Sequence, residues 1–325
     1  MDKFKINGPS KIRGEVSISG SKNAALPILA ATLLFDKNVT IKNLPRVKDI
    51  DTMLNLLKSL GRKISFKNNK KIATISKGKK NNFFAPYSLV KTMRAGILVL
   101  GPLLAKNKKA KVSSPGGCSI GVRPIDIHLK AISKLGVKIK IEKGYVNAKA
   151  EDRLVGSKIR FSKISVGATE NLILAACLAK GTTTMKNCAI EPEIKDLTNF
   201  LKTAGAKIKW IGKRTLKIEG VKTLKRITYS IMNDRIEAGT FCVAACLNSG
   251  NLKIKNFEPK VINTEINLLK KIGAKIKTTK NTIQIKGPKK IRSLDFLKTG
   301  EYPNFPTDLQ AQIMVLLTRA NGKST

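Results

Sequence analysis

The sequence predicts an α/β protein of repeated βαβαββ units that are arranged in two domains. The first observation is size, because 325 residues with 42% hydrophobic content can bury more than one core. The second is a pattern that returns about every 70 residues, which marks an architecture assembled from like parts. The third is the content of each repeat, in which helix-like and strand-like segments alternate.

Each repeat contains a glycine that separates a helix-like segment from a strand-like one. Glycine suits the left-handed position just past a helix end, and the Lys/Ile alternation that follows suits a strand with one buried face. We therefore expect a helix to end and a strand to begin at each turn. The turns are Leu60-Gly61-Arg62-Lys63-Ile64, Leu135-Gly136-Val137-Lys138-Ile139, Ala204-Gly205-Ala206-Lys207-Ile208 and Ile272-Gly273-Ala274-Lys275-Ile276.

A second shared segment lies upstream of the glycine turn in several repeats. It is rich in alanine, and a turn, a strand-like stretch and an asparagine follow it. Together with the glycine turn, this segment predicts the order strand, helix, strand, helix, strand, strand. The segments run over Leu33–Asn43, Ala175–Asn187 and Ala244–Asn256.

Composition argues against a secreted, membrane-spanning or metal-binding protein. Residues 1–10 lack the apolar stretch of a signal peptide, and the apolar runs at 97–105 and 238–247 fall short of the ~18 residues that suggest a membrane span. One histidine and the lack of a Cys-x-x-Cys pair support no metal site. The sequence therefore predicts a cytoplasmic protein without metal or cofactor and leaves the oligomeric state open.

The charge balance is strongly basic, with 63 Lys and Arg against 21 Asp and Glu and a formal net charge of +42. Only 12 of the basic residues are arginines, and the lysines are spread along the whole chain. Aromatic residues make up 5%, too few to interleave with the charge as base-stacking platforms require. We interpret the charge as a solvated lysine-rich surface without a specific nucleic-acid partner.

The segment from Ser114 to Asp126 places Cys118 in a glycine-rich loop, five residues ahead of Arg123. Proline and glycine before the cysteine stop regular structure there, which predicts an exposed thiol. A nearby guanidinium favours the thiolate and can hold an anionic substrate. From spacing alone, an incidental surface cysteine is an equally good interpretation.

Further motifs occur in a fixed order on both sides of the cysteine loop. They are Gly20-Ser21-Lys22-Asn23-Ala24-Ala25-Leu26-Pro27, Val90-Lys91-Thr92-Met93-Arg94-Ala95, Ser165-Val166-Gly167-Ala168-Thr169, Glu191-Pro192-Glu193-Ile194 and Phe305-Pro306-Thr307-Asp308-Leu309-Gln310-Ala311-Gln312. With the cysteine loop, they resemble the enolpyruvyl transferase family, and within it the branch that acts on UDP-N-acetylglucosamine. The resemblance runs from Met1 to the last residue.

The resemblance implies the enolpyruvyl transferase fold, a two-domain inside-out α/β barrel with buried helices and outer sheets. Residues 22–231 would form one complete domain of three repeats. Residues 1–21 and 232–325 would form the second domain, which lacks about one and a half repeats by repeat arithmetic. In that second domain a helix is expected over Thr307–Ala320.

The resemblance also implies the reaction and its substrates. The enolpyruvyl group of phosphoenolpyruvate would move to the 3′-hydroxyl of UDP-N-acetylglucosamine with release of phosphate, the first committed step of peptidoglycan synthesis. By the same resemblance Cys118 would be the general acid, able to form an adduct with phosphoenolpyruvate, and Asp308 the base. Without the resemblance, Asp308 reads as an acid that caps a helix.

Substrate contacts follow from the resemblance residue by residue. Taken alone, Lys22 reads as a solvated lysine, Asn23 as a first-turn residue, and Arg94 as a surface ion-pair residue in a helix after Pro86. His128 reads as a helix residue rather than a catalyst. The implied substrate-binding residues are Lys22, Asn23, Arg94, Arg123, Pro124, Ile125, Asp126, Ile127, Lys163, Ile164, Ser165, Val166 and Asp308.

Three other functions remain open from the sequence. The sister enzyme that acts on shikimate 3-phosphate shares the fold implied here, although the cysteine loop favours the nucleotide-sugar enzyme. A catalytically incompetent remnant is the second alternative, because family arginines that bind the enolpyruvyl substrate have no counterpart in the chain. A basic nucleic-acid-binding protein is the third and would need specificity that survives raised salt.

Overall fold

The structure is a computed structural model that describes residues 3–8, 10–79, 82–91, 93–114 and 125–325. The strands are β1 Arg13–Ser17, β2 Val39–Lys42, β3 Arg62–Lys67, β4 Ile72–Lys77, β5 Phe84–Ala85, β6 Lys109–Ser113, β7 Val137–Glu142, β8 Tyr145–Ala150, β9 Lys158–Arg160, β10 Thr182–Lys186, β11 Lys207–Gly212, β12 Thr215–Glu219, β13 Ile227–Ser230, β14 Asn251–Lys255, β15 Lys275–Thr278, β16 Thr282–Lys286, β17 Ile291–Arg292 and β18 Ala320–Asn321. The α-helices are α1 Lys22–Ala31, α2 Lys48–Ser59, α3 Tyr87–Val90, α4 Leu100–Asn107, α5 Asp126–Ser133, α6 Val166–Ala176, α7 Pro192–Thr203, α8 Arg235–Leu247, α9 Asn263–Ile272 and α10 Gln310–Leu317. Shorter 3₁₀ helices cover Thr32–Leu34, Arg94–Val99, Pro259–Ile262 and Thr307–Leu309.

The chain divides into two compact units, each with its own hydrophobic core. The larger unit comprises Gly20–Met232, and the smaller unit comprises Met1–Ser19 together with Asn233–Thr325. The larger core draws on the helices and inward strand faces of its own unit. The smaller core does the same with α8, α9, α10 and the strands beside them.

One sheet topology recurs in both units, and it confirms the predicted repeat. The four-stranded sheets have the orders β13-β2-β4-β3, β5-β6-β8-β7, β9-β10-β12-β11 and β1-β14-β16-β15. In each sheet the first pair is parallel and the other two pairs are antiparallel. The parallel pair needs a crossover helix, such as α6 between β9 and β10, which gives the βαβαββ order.

Two of these sheets are completed by a strand from a distant part of the chain. In the larger unit β13 pairs in parallel with β2, and Ile227 lies opposite Val39. The hydroxyl of Tyr229, on β13, donates to Asp196 Oδ1 at 2.7 Å, and the Met232 N–H donates to Asp196 Oδ2 at 3.2 Å. The last strand of the larger unit thus closes its first sheet.

Helices lie inside and sheets lie outside, as the resemblance implies. Residues 24–31 of α1 and 168–176 of α6 are buried on every side. Strands such as β11 and β16 alternate buried and exposed residues, so one face of each sheet meets solvent. Many of the exposed strand positions are lysines, and further lysines lie on helices and loops.

The predicted glycine turns are confirmed. Gly61, Gly136, Gly205 and Gly273 have φ of +92°, +86°, +97° and +114°, the left-handed backbone that side chains disfavour. Strands β3, β7, β11 and β15 each begin within two residues of their glycine. The sequence pattern therefore located these helix ends and strand starts correctly.

Two predicted helices are wrong in extent. The segment 307–320 begins as a 3₁₀ turn, continues as α10, and ends at Leu317, because Ala320 pairs in parallel with Ile291. Arg94 does not lie in a helix that continues from Pro86. The helix α3 ends at Val90, extended backbone at Met93 follows (φ −146°), and Arg94 starts a separate 3₁₀ helix.

Candidate active site

The first turn of α1 carries Lys22 and Asn23. Ser21 caps this helix, and its hydroxyl accepts a hydrogen bond from the Ala24 N–H at 3.3 Å. The Lys22 ammonium pairs with Asp49 Oδ2 at 3.3 Å, and both side chains are about 40% exposed. A half-exposed ion pair of this kind is weak, so a bound anion can compete for the ammonium at little cost.

The first turn of α6 is built in the same way. Ser165 caps the helix by accepting from the Ala168 N–H at 3.3 Å, and its carbonyl accepts from the Thr169 hydroxyl at 2.8 Å. Lys163 and Val166 are exposed on either side of the cap, whereas Ile164 packs against the larger core. A helix start with an exposed lysine beside it can attract an anionic ligand.

The start of α5 carries three further residues of the predicted set. Ile125 is the residue before the helix, Asp126 is its exposed first residue, and Ile127 packs against the larger core. Asp126 forms a long ion pair with Lys130 at 3.8 Å, one turn along the helix. Asp126 therefore presents a carboxylate at the protein surface, where it can accept hydrogen bonds from a ligand.

His128 connects three of these segments. Its ring is 4% exposed, and burial lowers its pKa from 6.5 to about 4, helped by the positive charge of Arg94 and opposed by Asp126. A side chain at Gly167, in the first turn of α6, would place its Cβ 3.0 Å from the His128 Cε1 atom. Arg94, the start of α5 and the start of α6 therefore converge around one neutral imidazole.

A group of buried carboxylates lies behind this region. Glu191 and Glu193 belong to a motif identified in the sequence without a role assigned to them, and Glu170 was missed by the sequence reasoning. Glu170, Glu191 and Glu193 are each at most 6% exposed. Burial raises the pKa of Glu170 well above its usual range, the charges of Glu193 and Glu191 raise it further, and Arg94 opposes them. A charged residue inside the otherwise apolar stretch of α6 is the signal that could have found Glu170.

Asp308 lies in the smaller unit, in the 3₁₀ turn Thr307–Leu309 that precedes α10. Its side chain is exposed, while the adjacent Leu309 is fully buried and packs so closely on α8 that a Cβ at Gly239 would lie 2.5 Å from Leu309 Cδ1. The buried side chain of Leu309 holds the turn in place, and the turn carries the exposed carboxylate of Asp308. A carboxylate at the protein surface can accept a proton from a ligand.

Cys118, Arg123 and Pro124 lie outside the described residues. Strand β6 ends at Ser113 before them, where the Ser114 N–H donates to the Gly144 carbonyl at 2.8 Å. Helix α5 begins after them at Asp126. The proposed roles of these three residues therefore rest on the sequence.

The described cysteines are unsuited to thiol chemistry. Cys177, Cys188, Cys242 and Cys246 are free and buried. Burial raises the pKa of Cys177, Cys188 and Cys246 to about 12, and it raises that of Cys242 further. A thiol with such a pKa holds little thiolate at neutral pH, so none of these four fits a catalytic cysteine.

Two features are absent from the described part of the chain. No helix there is both long and apolar enough to cross a bilayer. Among the same residues, no cluster of three or more His, Cys, Asp or Glu side chains could hold a metal ion.

Sequence comparison finds relatives over the whole chain. The profile of the EPSP synthase (3-phosphoshikimate 1-carboxyvinyltransferase) family matches residues 6–325. The UDP-N-acetylglucosamine 1-carboxyvinyltransferase of Pelagibacter ubique is 63% identical over 324 residues, which span 100% of this chain and 77% of that protein. The Geotalea uraniireducens protein of the same name is 46% identical with the same coverage.

Solved structures share the fold at low sequence identity. The enolpyruvyl transferase NikO from Streptomyces tendae matches with a TM-score of 0.86 at 21% identity, covering 98% of this chain and 75% of that one. EPSP synthase from Acinetobacter baumannii matches with a TM-score of 0.73 at 17% identity, covering 98% and 74%. These likenesses support the repeated α/β architecture.

Proposed function

Because this chain belongs to the EPSP synthase family of carboxyvinyltransferases, we infer that it transfers the enolpyruvyl group of phosphoenolpyruvate to the 3′-hydroxyl of UDP-N-acetylglucosamine and releases phosphate. The observation that carries this proposal is the 63% identity, over the whole chain, to a relative named for that reaction. The product would enter peptidoglycan synthesis, and through it cell-wall formation, cell shape and division.

The described cationic side chains suit two anionic substrates. We assign Lys22 and Asn23, at the capped start of α1, to phosphoenolpyruvate or the sugar beside it. Arg94 is assigned to the nucleotide sugar, whose diphosphate needs preorganised positive charge. Two further sets are assigned to the uridine diphosphate: Arg123, Pro124, Ile125, Asp126 and Ile127, and Lys163, Ile164, Ser165 and Val166.

The reaction requires three proton transfers and the loss of one leaving group. The sugar oxygen forms a bond to carbon 2 of phosphoenolpyruvate while Asp308 takes the hydroxyl proton and Cys118 protonates carbon 3. The bond from carbon 2 to the phosphate oxygen then breaks while carbon 3 returns a proton to the Cys118 thiolate, which restores the double bond. Cys118 is proposed for this role by the resemblance of its loop to the family's cysteine loop. The four described cysteines are buried and their pKa values are raised, which does not suit them to proton transfer.

Several broader statements are also proposals. A reducing compartment such as the cytoplasm suits four buried free thiols. A specific nucleic-acid partner is not proposed, since the lysines are spread along the whole chain and aromatic residues make up only 5%. We also propose that residues 22–231 form one complete domain of three repeats and that residues 1–21 with 232–325 belong to a second domain.

The proposal is tested by measuring phosphate release from phosphoenolpyruvate with the full chain. We expect release only when UDP-N-acetylglucosamine is present, and Cys118→Ser should lower turnover by at least ~100-fold because it removes the proton donor. Cys177→Ser is the matched control, because that thiol is buried and takes no part in the reaction. In a parallel assay shikimate 3-phosphate replaces the nucleotide sugar. Phosphate release with shikimate 3-phosphate but not with UDP-N-acetylglucosamine would assign the chain to the sister reaction.

A further inference from the structure

We propose that His128 is a positioning residue for the nucleotide sugar, held by Asn171 in the tautomer that carries its proton on Nε2. In this role the imidazole fixes the relative positions of three segments: the 3₁₀ helix that begins at Arg94, the start of α5, and the first turn of α6. The inference rests on the proposed function, since these segments carry residues assigned to the nucleotide sugar. His128 itself is not assigned to the reacting atoms.

The orientation of the Asn171 amide follows from two backbone contacts. The Gly101 N–H donates to Asn171 Oδ1 at 2.7 Å, and Asn171 Nδ2 donates to the Ile97 carbonyl at 2.9 Å. Turning the amide over would set two donors against each other at Gly101 and two acceptors against each other at Ile97. Since Asn171 is fully buried, no solvent could relieve that conflict, and the orientation is fixed.

The amide orientation in turn fixes the imidazole tautomer. Asn171 Nδ2 lies 3.3 Å from His128 Nδ1, and because Nδ2 is a donor, Nδ1 has to be the acceptor. A neutral imidazole that accepts at Nδ1 carries its proton at Nε2. The ring is neutral because it is buried beside the positive charge of Arg94.

The protonated edge of the ring faces the first turn of α6. A Cβ built on Gly167 would lie 3.0 Å from His128 Cε1 and 3.3 Å from Nε2, so only glycine allows this approach without displacing the ring. Ser165, which caps the same turn, belongs to a segment assigned to the diphosphate. The imidazole thus sets how closely α5 and the diphosphate segment approach each other.

The same network reaches the segment that carries Arg94. Ile97, whose carbonyl accepts from Asn171, is in the 3₁₀ helix that Arg94 begins. Gly101 is in the first turn of α4, directly after that helix, and its N–H donates to Asn171 Oδ1. Loss of the His128 ring should therefore displace the residues assigned to the nucleotide sugar more than it displaces Lys22, which lies on α1.

Nuclear magnetic resonance tests the tautomer directly, and the sequence makes it simple because the chain has one histidine. Long-range proton–nitrogen correlation of histidine-labelled protein should show a protonated Nε2 and an unprotonated Nδ1 at neutral pH. The same pattern should persist down to pH 5. A protonated Nδ1, or a doubly protonated ring at neutral pH, would overturn the inference.

Kinetics test the positioning role with His128→Asn. An asparagine oxygen can still accept near the Nδ1 position, so Asn171 keeps its partner while the edge that faces Gly167 is lost. We expect the KM for UDP-N-acetylglucosamine to rise about tenfold, the effect of losing one good contact, with the KM for phosphoenolpyruvate and kcat changed less than twofold. Ile132→Val, a buried change on the same helix, is the control and should leave both KM values unchanged.

Gly167→Ala tests the close approach of the His128 ring and the first turn of α6 by changing the helix instead of the ring. The added methyl group meets the ring, and the KM for the nucleotide sugar should rise in the native background. In the His128→Asn background the same methyl group has room, so it should add nothing further. Additive effects of the two substitutions would show that ring and turn act separately, and would overturn the inference.

The outcomes separate this inference from the proposed reaction. If the native chain releases no phosphate with UDP-N-acetylglucosamine, the reaction proposal fails. The tautomer and the shift of the His128 ring resonances on adding UDP-N-acetylglucosamine still test the inference. If the native chain is active but His128→Asn raises both KM values equally, or neither, the residue is merely structural and the inference is wrong.

Discussion

Helices α1 and α6 hold the same place in two repeats, yet they are buried in different ways. Both begin at a serine whose hydroxyl accepts from the N–H three residues on, at 3.3 Å in each case. Five and six residues after the serine, α1 has Leu26 and Pro27, whereas α6 has Glu170 and Asn171. All four of these later residues are buried.

The difference separates the apolar side chains that an inner helix needs for folding from the polar side chains that α6 has in addition. Apolar side chains are sufficient in α1, so the fold does not require polar groups at these positions. In α6 the buried amide bonds two other helices and a histidine, and burying such groups costs free energy unless each is bonded. We therefore attribute the polar pair Glu170 and Asn171 in α6 to the adjacent candidate active site around His128.

The strongest test of this comparison is Asn171→Leu, which makes α6 apolar at that position as α1 is. We expect the free energy of unfolding to fall by about 3 kcal/mol, because the Gly101 N–H loses its acceptor and the buried ring of His128 loses its donor. Urea unfolding measures the change. Ile28→Val in α1 is the matched control and should cost about 1 kcal/mol. An Asn171→Leu protein as stable as the native chain would show that the amide network contributes nothing to stability.

An effect of intermediate size is expected in the pH dependence of the free energy of unfolding. The pKa of His128 is lowered from 6.5 to about 4, so between these values the unfolded chain binds more protons than the folded one. The contribution of His128 is complete above pH 6.5 and is lost as the pH falls toward 4. At pH 5 it should be about 2 kcal/mol smaller than at pH 8.

The control for this pH effect is the difference between the native chain and His128→Asn. Arg94 and Asp126 face the ring and remain in both proteins, as does Glu170, whose raised pKa acts in the opposite sense. The difference in unfolding free energy should therefore isolate the histidine. A difference that stays constant from pH 8 to pH 5 would contradict the lowered pKa.

The smallest expected effects are those of the two caps. Ser21→Ala and Ser165→Ala each remove one helix-capping acceptor and should each cost about 1 kcal/mol of unfolding free energy. Thermal or urea unfolding of the two variants measures this. Similar losses would mean that α1 and α6 share a folding device, and that they differ only beyond the first turn. A much larger loss for one cap would show that the repeats are not equivalent even there.

The sequence predicted the repeat because its signals are local. A glycine at φ +92° or +97°, as at Gly61 and Gly205, needs no distant partner to be recognised as a helix end. Asn43 and Asn187, which follow strands, also adopt positive φ, as asparagine tolerates. Elements bounded by such residues were therefore predicted well.

The site was predicted less completely because its support is not local. Asn171 is 70 residues from Gly101 and 43 from His128, and no spacing rule links them. The end of α10 was misplaced for a similar reason, since Ala320 leaves the helix to pair with Ile291. The roles of Cys118 and Asp308 remain predictions from the resemblance.

The pairing of β1 with β14 has a consequence for synthesis on the ribosome. Arg13 lies opposite Asn251, so more than 230 further residues are synthesised after β1 before its partner strand exists. An unpaired strand edge invites association with other chains during that interval. Arg13, Glu15 and the nearby Lys11 place charge on this strand, and charged residues on a strand edge discourage such contacts.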